Sequence, residues 1–228
     1  MRYLYLIPAR AGSKRLPNKN VALLAGKPLL FYSLELARTF TSDHDILIST
    51  DDQDILTLCQ KSGYRTDYVR KPHLATDKAG MDDVIRDGIS YMSSINKVVY
   101  DAVILLQPTS PLRKPDDIQR CMRLFEETEG LDMVTTACES RISPYTNLFY
   151  EVDGKLEKFI VDKRAGSRSG SLVRLNGAVY IIRVDSINQS DIPDFKNIRS
   201  HLMPPERSVD IDEEMDWILA EALINKNH

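Results

Sequence analysis

Cysteine, histidine and tryptophan are scarce in this chain of 228 residues, which contains three, four and one of them. The cysteines Cys59, Cys121 and Cys138 lack the close spacing of a zinc or redox motif, so we expect reduced thiols in the core. The histidines are scattered along the chain, and this distribution argues against a zinc site. The sequence therefore offers no obvious metal centre of sulfur or imidazole ligands.

Long apolar runs are also absent, and no stretch approaches the roughly 20 residues that a membrane-spanning helix needs. The first residues enter a predicted strand directly, without the pattern of a secretion signal. We therefore expect a cytoplasmic protein that does not bind membranes. The net charge of −3 at pH 7 supplies no overall field that would attract nucleic acid, so any cationic function has to be local.

One strongly cationic stretch covers residues 7–20 and reads IPARAGSKRLPNKN. It lies between an apolar run at 3–7, typical of a buried strand, and a segment with helical periodicity at 23–40. Its four cationic residues, with no acidic residue among them, are Arg10, Lys14, Arg15 and Lys19. Such a loop, with free backbone N–H groups near Gly12, predicts a site for a multiply charged anion such as a nucleoside triphosphate. The alternative is a solvated basic loop.

Apolar runs and helical patterns alternate through the first 137 residues. Further strands are predicted at 45–50, 66–69, 101–107 and 132–137. Helices are predicted from Gly26-Lys27-Pro28 to residue 40 and at 53–62, 81–94 and 115–127. This alternation predicts an α/β fold with a Rossmann-like, mostly parallel sheet and helices on both faces. The run at 101–107 is the most apolar, so we expect it in the centre of the sheet.

The alternation stops after Pro144. Two runs, at 148–152 and 155–160, flank Asp153-Gly154, which is a strong signal for a two-residue β-hairpin. We predict a single domain over residues 1–228, with residues 144–172 as a hairpin insertion. A strand at 178–182 and a helix at 213–225 complete the predicted elements.

A polar cluster, LLQPTSP, follows the predicted central strand at residues 105–111. Gln107, Thr109 and Ser110 offer amide and hydroxyl groups that both donate and accept hydrogen bonds. In open α/β sheets, ligands bind beyond the carboxyl ends of the strands. The cluster therefore suits a sugar or a pyrimidine, and the alternative is a turn that the prolines fix.

The stretch RLNGAVY, at residues 174–180, is a third candidate. Arg174 has the geometry to hold a carboxylate through two hydrogen bonds. Gly177 would let the backbone come close to a ligand. The alternative is that Arg174 leads a strand and makes a surface ion pair.

A fourth candidate, SVDID, covers residues 208–212. In an extended segment Asp210 and Asp212 point the same way. Two carboxylates with spare coordination positions suit a Mg²⁺ ion that phosphates also bind. The alternative is that Asp212 caps the final helix and Asp210 is solvated.

These four motifs, in this order, resemble the signatures of the CMP-sialic acid synthetases, cytidylyltransferases that activate nine-carbon sialic acids. The first motif matches I-P-A-R-x-G-S-K-x-x-x-x-K-N, whereas neither G-x-x-x-x-G-K-[ST] nor G-x-G-x-x-G follows the first strand. Enzymes that activate the eight-carbon sugar Kdo have a similar first motif, but they look like V-Q-G-D-E-P where this chain has Q-P-T-S-P. Lys14 and Asn20 also favour the sialic acid branch.

The resemblance implies transfer of CMP from CTP to the anomeric hydroxyl of N-acetylneuraminic acid, with release of pyrophosphate and with Mg²⁺ as cofactor. The residues that it implies for nucleotide binding are Ala9, Arg10, Ser13, Lys14, Lys19, Asn20 and Ala79. Those that it implies for the sugar are Gln107, Thr109, Ser110, Arg174, Asn176 and Tyr180. Asp210 and Asp212 would hold the metal and would be catalytic together with Arg10, Lys14 and Lys19. A homodimer that exchanges its hairpin region is implied as well.

The sequence departs from the family pattern at two places, one that concerns the base and one that concerns the sugar. Met81 stands where a serine that contacts the base is common, and the segment before Arg174 lacks an R-Q-x-x-P-like sequence. Legionaminic, pseudaminic and Kdn-type acids are therefore alternatives, and Kdo is a weaker one. A nucleotide-binding regulator without turnover is a different class of alternative, against which the Asp210/Asp212 pair argues.

Overall fold

The structure is a computed structural model that describes residues 1–13, 15–64, 66–143, 147–159 and 171–226. The strands in these residues are β1 (Tyr3–Pro8), β2 (Leu23–Leu24), β3 (Lys27–Pro28), β4 (Ile46–Ser49), β5 (Ala102–Leu105), β6 (Met133–Glu139), β7 (Phe149–Val152), β8 (Lys155–Lys158), β9 (Val173–Arg183) and β10 (Ile198–Leu202). The α-helices are α1 (Leu29–Arg38), α2 (Gln53–Lys61), α3 (Met81–Asn96), α4 (Pro115–Glu127), α5 (Val184–Gln189) and α6 (Glu214–Lys226).

Six strands form the central sheet in the order β10-β6-β9-β5-β1-β4. β1 pairs in parallel with β4 and β5, and β10 pairs in parallel with β6, whereas β9 is antiparallel to both of its neighbours. The predicted α/β fold with a mostly parallel sheet is therefore confirmed. The apolar strand β5 lies inside the sheet, between β9 and β1, as predicted.

Side chains of β1 alternate between two cores, because successive residues of a strand face opposite sides of a sheet. Tyr5 and Ile7 pack in a cluster that includes residues of α1, α2 and α4. Leu4 and Leu6 pack in a second cluster that includes residues of α3 and α5. Helices thus cover both faces, and the loops at the carboxyl ends of β1, β4 and β5 are left to form a site at one edge.

One predicted strand is wrong, and the first helix starts later than predicted. Residues 66–69 do not form a strand. The segment contacts β4 through the buried Tyr68, whose hydroxyl lies 3.3 Å from Ser49 Oγ, and the next residue, Arg70, donates its N–H to the Thr50 carbonyl at 2.8 Å. The first helix begins only at Leu29, because Ala25 and Gly26 both have positive φ and fold β2 against β3 in a tight antiparallel turn.

Strand β9 is longer than predicted, and β10 and α5 were not predicted. The extra residues of β9, Val173–Leu175, pair with Ala137–Glu139 of β6 beyond an irregularity in the register. The solvent-facing sequence of β10 has no alternation of apolar residues, which explains why pattern analysis misses it.

The predicted hairpin is present. β7 and β8 pair antiparallel around Asp153 and Gly154, which both have positive φ, as a tight two-residue turn requires. All residues of the two strands are exposed. Of the predicted insertion 144–172, residues 144–146 and 160–170 lie outside the described residues.

The three cysteine thiols are free and buried, as predicted. In the described part of the chain, no helix combines the length and the apolar character needed to cross a bilayer.

Candidate active site

A cavity of about 410 Å³ opens at the carboxyl ends of β1, β4 and β5. Seven of the predicted site residues border it: Arg10, Ser13, Lys19, Asn20, Gln107, Thr109 and Asp212. Other bordering residues are Pro8, Arg15, Leu16, Arg70, Met81 and Pro108. Three motifs that are distant in the sequence therefore share one cavity.

The cationic loop is held by the backbone and by carboxylates from other segments. The Ala9 N–H donates to the Ser49 carbonyl at 2.9 Å, so pairing continues past the end of β1 and buries the Ala9 side chain. The Ala11 N–H donates to Asp51 Oδ1 at 2.8 Å. Arg10 pairs with Asp77 at 2.7 Å, and its carbonyl lies 3.5 Å from the Asn20 side-chain amide. A ligand that takes over Arg10 would have to compete with this exposed ion pair.

Lys19 joins the cationic loop to the acidic motif, 193 positions away in the chain. Its Nζ donates to the Ile211 carbonyl at 2.7 Å and lies 3.3 Å from Asp212 Oδ1. The Lys19 side chain is 12% exposed, whereas Arg15, which pairs with the same carboxylate at 3.4 Å, is 65% exposed. Lys19 is therefore the more fixed of the two charges at this end of the cavity.

Asp210 lies on the inner side of the same segment. The Ile211 N–H donates to the Thr109 carbonyl at 2.8 Å, which joins this segment to the polar cluster. Burial, followed by the negative charges of Asp212 and Asp216, raises the pKa of Asp210 above its ordinary value. Ile211, between the two aspartates in the chain, is fully buried, while Asp212 borders the cavity and Asp210 Oδ2 faces Gly177.

These two carboxylates fit a Mg²⁺ ion. They provide hard oxygen ligands, and their mutual repulsion would be relieved by a cation. Within the described residues, no group of three or more His, Cys, Asp and Glu side chains is placed to hold a metal. A Mg²⁺ ion held by this pair would therefore need further ligands, such as phosphate oxygens and water.

Asp212 does not cap the final helix in this structure. Its carboxylate pairs with Arg15 and Lys19, and the N–H groups of Asp212 and Glu213 both donate to Asp216, at 3.0 and 2.8 Å. Asp216 thus supplies the capping oxygen, which leaves Asp212 facing the cavity.

The sugar-site candidates meet at Gly177, which has a φ of +73°. A Cβ at this position would lie 3.1 Å from Gln107 Oε1, 3.5 Å from Asp210 Oδ2 and 3.6 Å from Ser110 Oγ. Three polar side chains therefore converge on the open face of this glycine. Tyr180 lies half-buried on β9, three residues after Gly177, and burial, with a smaller contribution from the charge of Asp210, raises the pKa of its phenol.

Asn176 lies beneath the pocket and is 1% exposed. Its Oδ1 accepts from Thr136 Oγ1 at 2.7 Å and from the Ala178 N–H at 3.2 Å, and its Nδ2 donates to Ser208 Oγ at 2.9 Å. The side chain thus ties β9 to the start of the acidic motif. Its direct contact with a sugar stays a prediction.

Two further predicted residues, Arg174 and Ala79, do not border the cavity. Arg174 is exposed on β9, opposite Cys138. The Ala79 N–H is used in a turn with the Thr76 carbonyl at 3.2 Å. Lys14 lies outside the described residues. The roles of these residues stay predictions.

Two buried arginines, Arg113 and Arg70, also belong to this region, and no sequence motif points to them. Arg113 donates from Nη1 to the carbonyls of Gln107 and Ala178, at 2.8 and 2.9 Å, and from Nη2 to Ser33 Oγ. It thereby fixes the polar cluster to β9. Arg70 is 4% exposed and borders the cavity. In the sequence, each of them is a single arginine close to a short apolar run, and this pattern does not reveal that the side chain is buried.

A family model described as cytidylyltransferase matches residues 4–146 of this chain. The chain belongs to the cytidylyltransferase family. The match includes the cationic loop and the polar cluster, two of the three motifs that border the cavity.

Among curated relatives of this cytidylyltransferase, the CMP-N,N'-diacetyllegionaminic acid synthase of Legionella pneumophila is 34% identical over 100% of the chain and 98% of the relative. A pseudaminic acid cytidylyltransferase of Campylobacter jejuni is 29% identical, over 100% and 98%. An N-acylneuraminate cytidylyltransferase of Streptococcus agalactiae is 31% identical over 96% of the chain, which spans 52% of that relative.

The fold of this cytidylyltransferase also has a solved counterpart. The structure of a CMP:2-keto-3-deoxy-manno-octonic acid synthetase complexed with CTP has a TM-score of 0.71, covers 100% of both chains and is 19% identical. At this identity the likeness concerns the fold alone.

Proposed function

We propose that this cytidylyltransferase transfers CMP from CTP to the anomeric hydroxyl of a nonulosonic acid. The observation that carries the proposal is the meeting of the cationic loop, the Asp210/Asp212 pair and the polar pocket at Gly177 along one edge of the sheet. In this reaction the anomeric oxygen attacks the α-phosphorus in line, and the bond from that phosphorus to the pyrophosphate oxygen breaks. The hydroxyl proton leaves to solvent or to a base.

Phosphoryl transfer of this kind depends on positioning and charge neutralisation more than on covalent catalysis. Arg10, Ser13, Lys14 and Lys19 would bind the triphosphate and orient the α-phosphorus toward the Gly177 pocket. Asp210 and Asp212 would hold Mg²⁺, which when bound neutralises charge on the phosphate oxygens. Gln107, which borders the nucleotide cavity and also faces Gly177, stands between the two substrates.

The buried guanidinium of Arg70 supports cytosine as the base. An arginine is only a hydrogen-bond donor, and cytosine presents acceptors at O2 and N3, whereas N3 of uracil carries a hydrogen. Arg70 is too enclosed to follow a flexible triphosphate, but it can meet the edge of a planar base. Met81 borders the same cavity, and Asn20 and Ala79 are the further candidates for placing the cytidine.

The proposal also specifies which nonulosonic acid is the substrate. The motifs favour N-acetylneuraminic acid, but the relative with 34% identity over the full length is named for N,N'-diacetyllegionaminic acid. We therefore take the diacetylated acid as the first candidate, followed by pseudaminic, N-acetylneuraminic and Kdn-type acids.

A pyrophosphate-release assay tests this function directly. CTP, UTP, ATP and GTP are each offered with the four nonulosonic acids and with Kdo. We expect release with CTP and at least one nine-carbon acid. Turnover that prefers a purine triphosphate, or that occurs with Kdo alone, would refute the proposal. CTP binding without turnover of any acid would favour the regulator alternative.

A homodimer built on the hairpin is also proposed. Five large apolar side chains of the hairpin are between 41% and 70% exposed: Phe149, Tyr150, Val152, Leu156 and Phe159. An apolar surface of this kind is typical of a protein contact. Light scattering should give about twice the 25.9 kDa of the chain, and a Leu156→Glu variant should shift the mass toward the monomer.

Arg174→Lys tests the prediction that Arg174 binds the carboxylate of the sugar. Lysine keeps the charge but loses the two parallel hydrogen bonds. We therefore expect kcat/KM for the sugar to fall by a factor that corresponds to roughly 1.5–3 kcal/mol of lost transition-state stabilisation, with CTP binding almost unchanged. Arg199→Lys, on the exposed strand β10, is the matched control and should change neither value. Weaker CTP binding with normal sugar kinetics would place Arg174 at the phosphates instead.

A further inference from the structure

The guanidinium of Arg70 is held from one side by Ser49. Its Nε donates to Ser49 Oγ at 3.0 Å and its Nη2 donates to the Ser49 carbonyl at 2.5 Å. Within the described residues, Nη1 has no hydrogen-bond partner in the protein, and it is not among the buried unpartnered atoms. Because Arg70 borders the cavity, Nη1 is the nitrogen left for a ligand.

A chain of hydrogen bonds continues from Ser49, away from Arg70, to Tyr68 and Asp87. Ser49 Oγ lies 3.3 Å from Tyr68 Oη, which donates to Asp87 Oδ2 at 2.8 Å. Asp87 Oδ1 in turn accepts from Lys71 Nζ at 2.5 Å. Arginine can only donate and an ionised carboxylate can only accept, so the bonds that run from Arg70 through Ser49 and Tyr68 all point toward Asp87.

The chain is enclosed where it meets Arg70. Ser49 is fully buried, and Tyr68 is 4% exposed and packs edge-on against Tyr91 with 4.9 Å between ring centroids. Burial alone would raise the pKa of Asp87, but the hydrogen bonds from Lys71 and Tyr68 hold it below its ordinary value. The acceptor that ends the chain is thus ionised at neutral pH, and it fixes the direction of both hydroxyls.

We infer that Tyr68 and Asp87 are positioning residues that set the orientation of Arg70 and thereby the selectivity for the nucleobase. This rests on the proposed function, in which the cavity binds CTP. A guanidinium held at one angle presents Nη1 to the acceptors of cytosine, and the same angle opposes the N3–H of uracil. Without the Tyr68 hydroxyl, Ser49 loses its acceptor and Arg70 can tilt, which reduces the difference between the two bases.

The test compares Tyr68→Phe with two hydroxyl deletions that lie off this chain. Tyr64 is 2% exposed, and its hydroxyl bonds to the backbone of β4 at Ile46 and Ile48. Tyr64→Phe therefore controls for loss of stability, and Tyr91→Phe controls for the aromatic contact. CTP and UTP are titrated into each full-length variant by calorimetry, beside sugar kinetics and thermal unfolding.

We expect Tyr68→Phe to weaken CTP by about tenfold, to bring the CTP and UTP dissociation constants closer together and to leave the KM for the sugar unchanged. Asp87→Asn should shift the ratio in the same direction. The two controls should keep the wild-type ratio, even where Tyr64→Phe lowers the unfolding temperature. A Tyr68→Phe variant that loses stability but keeps the wild-type ratio would overturn the inference.

Arg70→Lys separates this inference from the proposed function. Suppose that Arg70→Lys keeps the wild-type ratio of the CTP and UTP dissociation constants while the wild-type enzyme still forms a CMP-sugar. Arg70 then does not recognise the base, and only the inference fails. If the wild-type protein binds no CTP, the proposed function fails and the inference falls with it. If the CTP and UTP dissociation constants come closer together in both Arg70→Lys and Tyr68→Phe, the result would support a joint role of the two residues in base selectivity.

Discussion

Replacing Asp210 or Asp212 by asparagine is expected to lower turnover by a factor on the order of 10² or more. Asparagine has the size of aspartate but lacks its charge, so either change would weaken a magnesium site that has two protein carboxylates. The loss should be smaller at high Mg²⁺ concentration, where weaker metal binding is partly overcome. Steady-state kinetics over a Mg²⁺ titration measures both effects.

The matched control is Asp216→Asn. Asp216 belongs to the same acidic segment, but its carboxylate accepts from the N–H groups of Asp212 and Glu213. Asparagine can still accept these bonds, so we expect a small loss of stability, a near-normal rate and unchanged Mg²⁺ dependence. If Asp210→Asn and Asp212→Asn kept near-normal rates at saturating Mg²⁺, the pair would be structural and the proposed metal site would be wrong.

Lys19→Met is expected to lower kcat/KM for CTP by about 10²–10³, the usual effect of removing one fixed group that stabilises charge in a transition state. Lys19 is nearly enclosed, and its ammonium lies 3.3 Å from Asp212 at the border of the cavity proposed for the triphosphate. Methionine keeps most of the apolar stem, so the fold should be retained. Circular dichroism and thermal unfolding verify the fold, and initial rates with CTP measure the effect.

Arg15→Met is the comparison for Lys19. Both side chains pair with Asp212, but Arg15 is 65% exposed and its charge is screened by water. We expect a loss within about tenfold, which falls further as salt is added. Equal losses in the two variants would mean that Asp212 requires any neighbouring cation, and that the enclosed position of Lys19 has no special role.

Local sequence patterns were enough to predict most strands of the sheet and the hairpin. The alternation of apolar runs with helical periods predicted β1, β4, β5 and β6 and the helices between them, and Asp153-Gly154 predicted the β7–β8 turn. Residues 66–69 failed as a strand although their composition resembles one. A strand requires a neighbour with free backbone groups, and neighbours are assigned by the whole fold.

The sequence by itself determined the candidate groups of this cytidylyltransferase: a cationic loop, a polar cluster and a pair of aspartates. These patterns are local, because loop chemistry and the two-residue period of extended chain depend on adjacent residues. The tertiary structure alone decided that Lys19 meets Asp212, that Gln107 and Asp210 face Gly177, and that Arg70 and Arg113 are buried. Such contacts join residues tens to almost two hundred positions apart, and they follow from the strand order β9-β5-β1-β4, which brings the ends of separate strands to one edge.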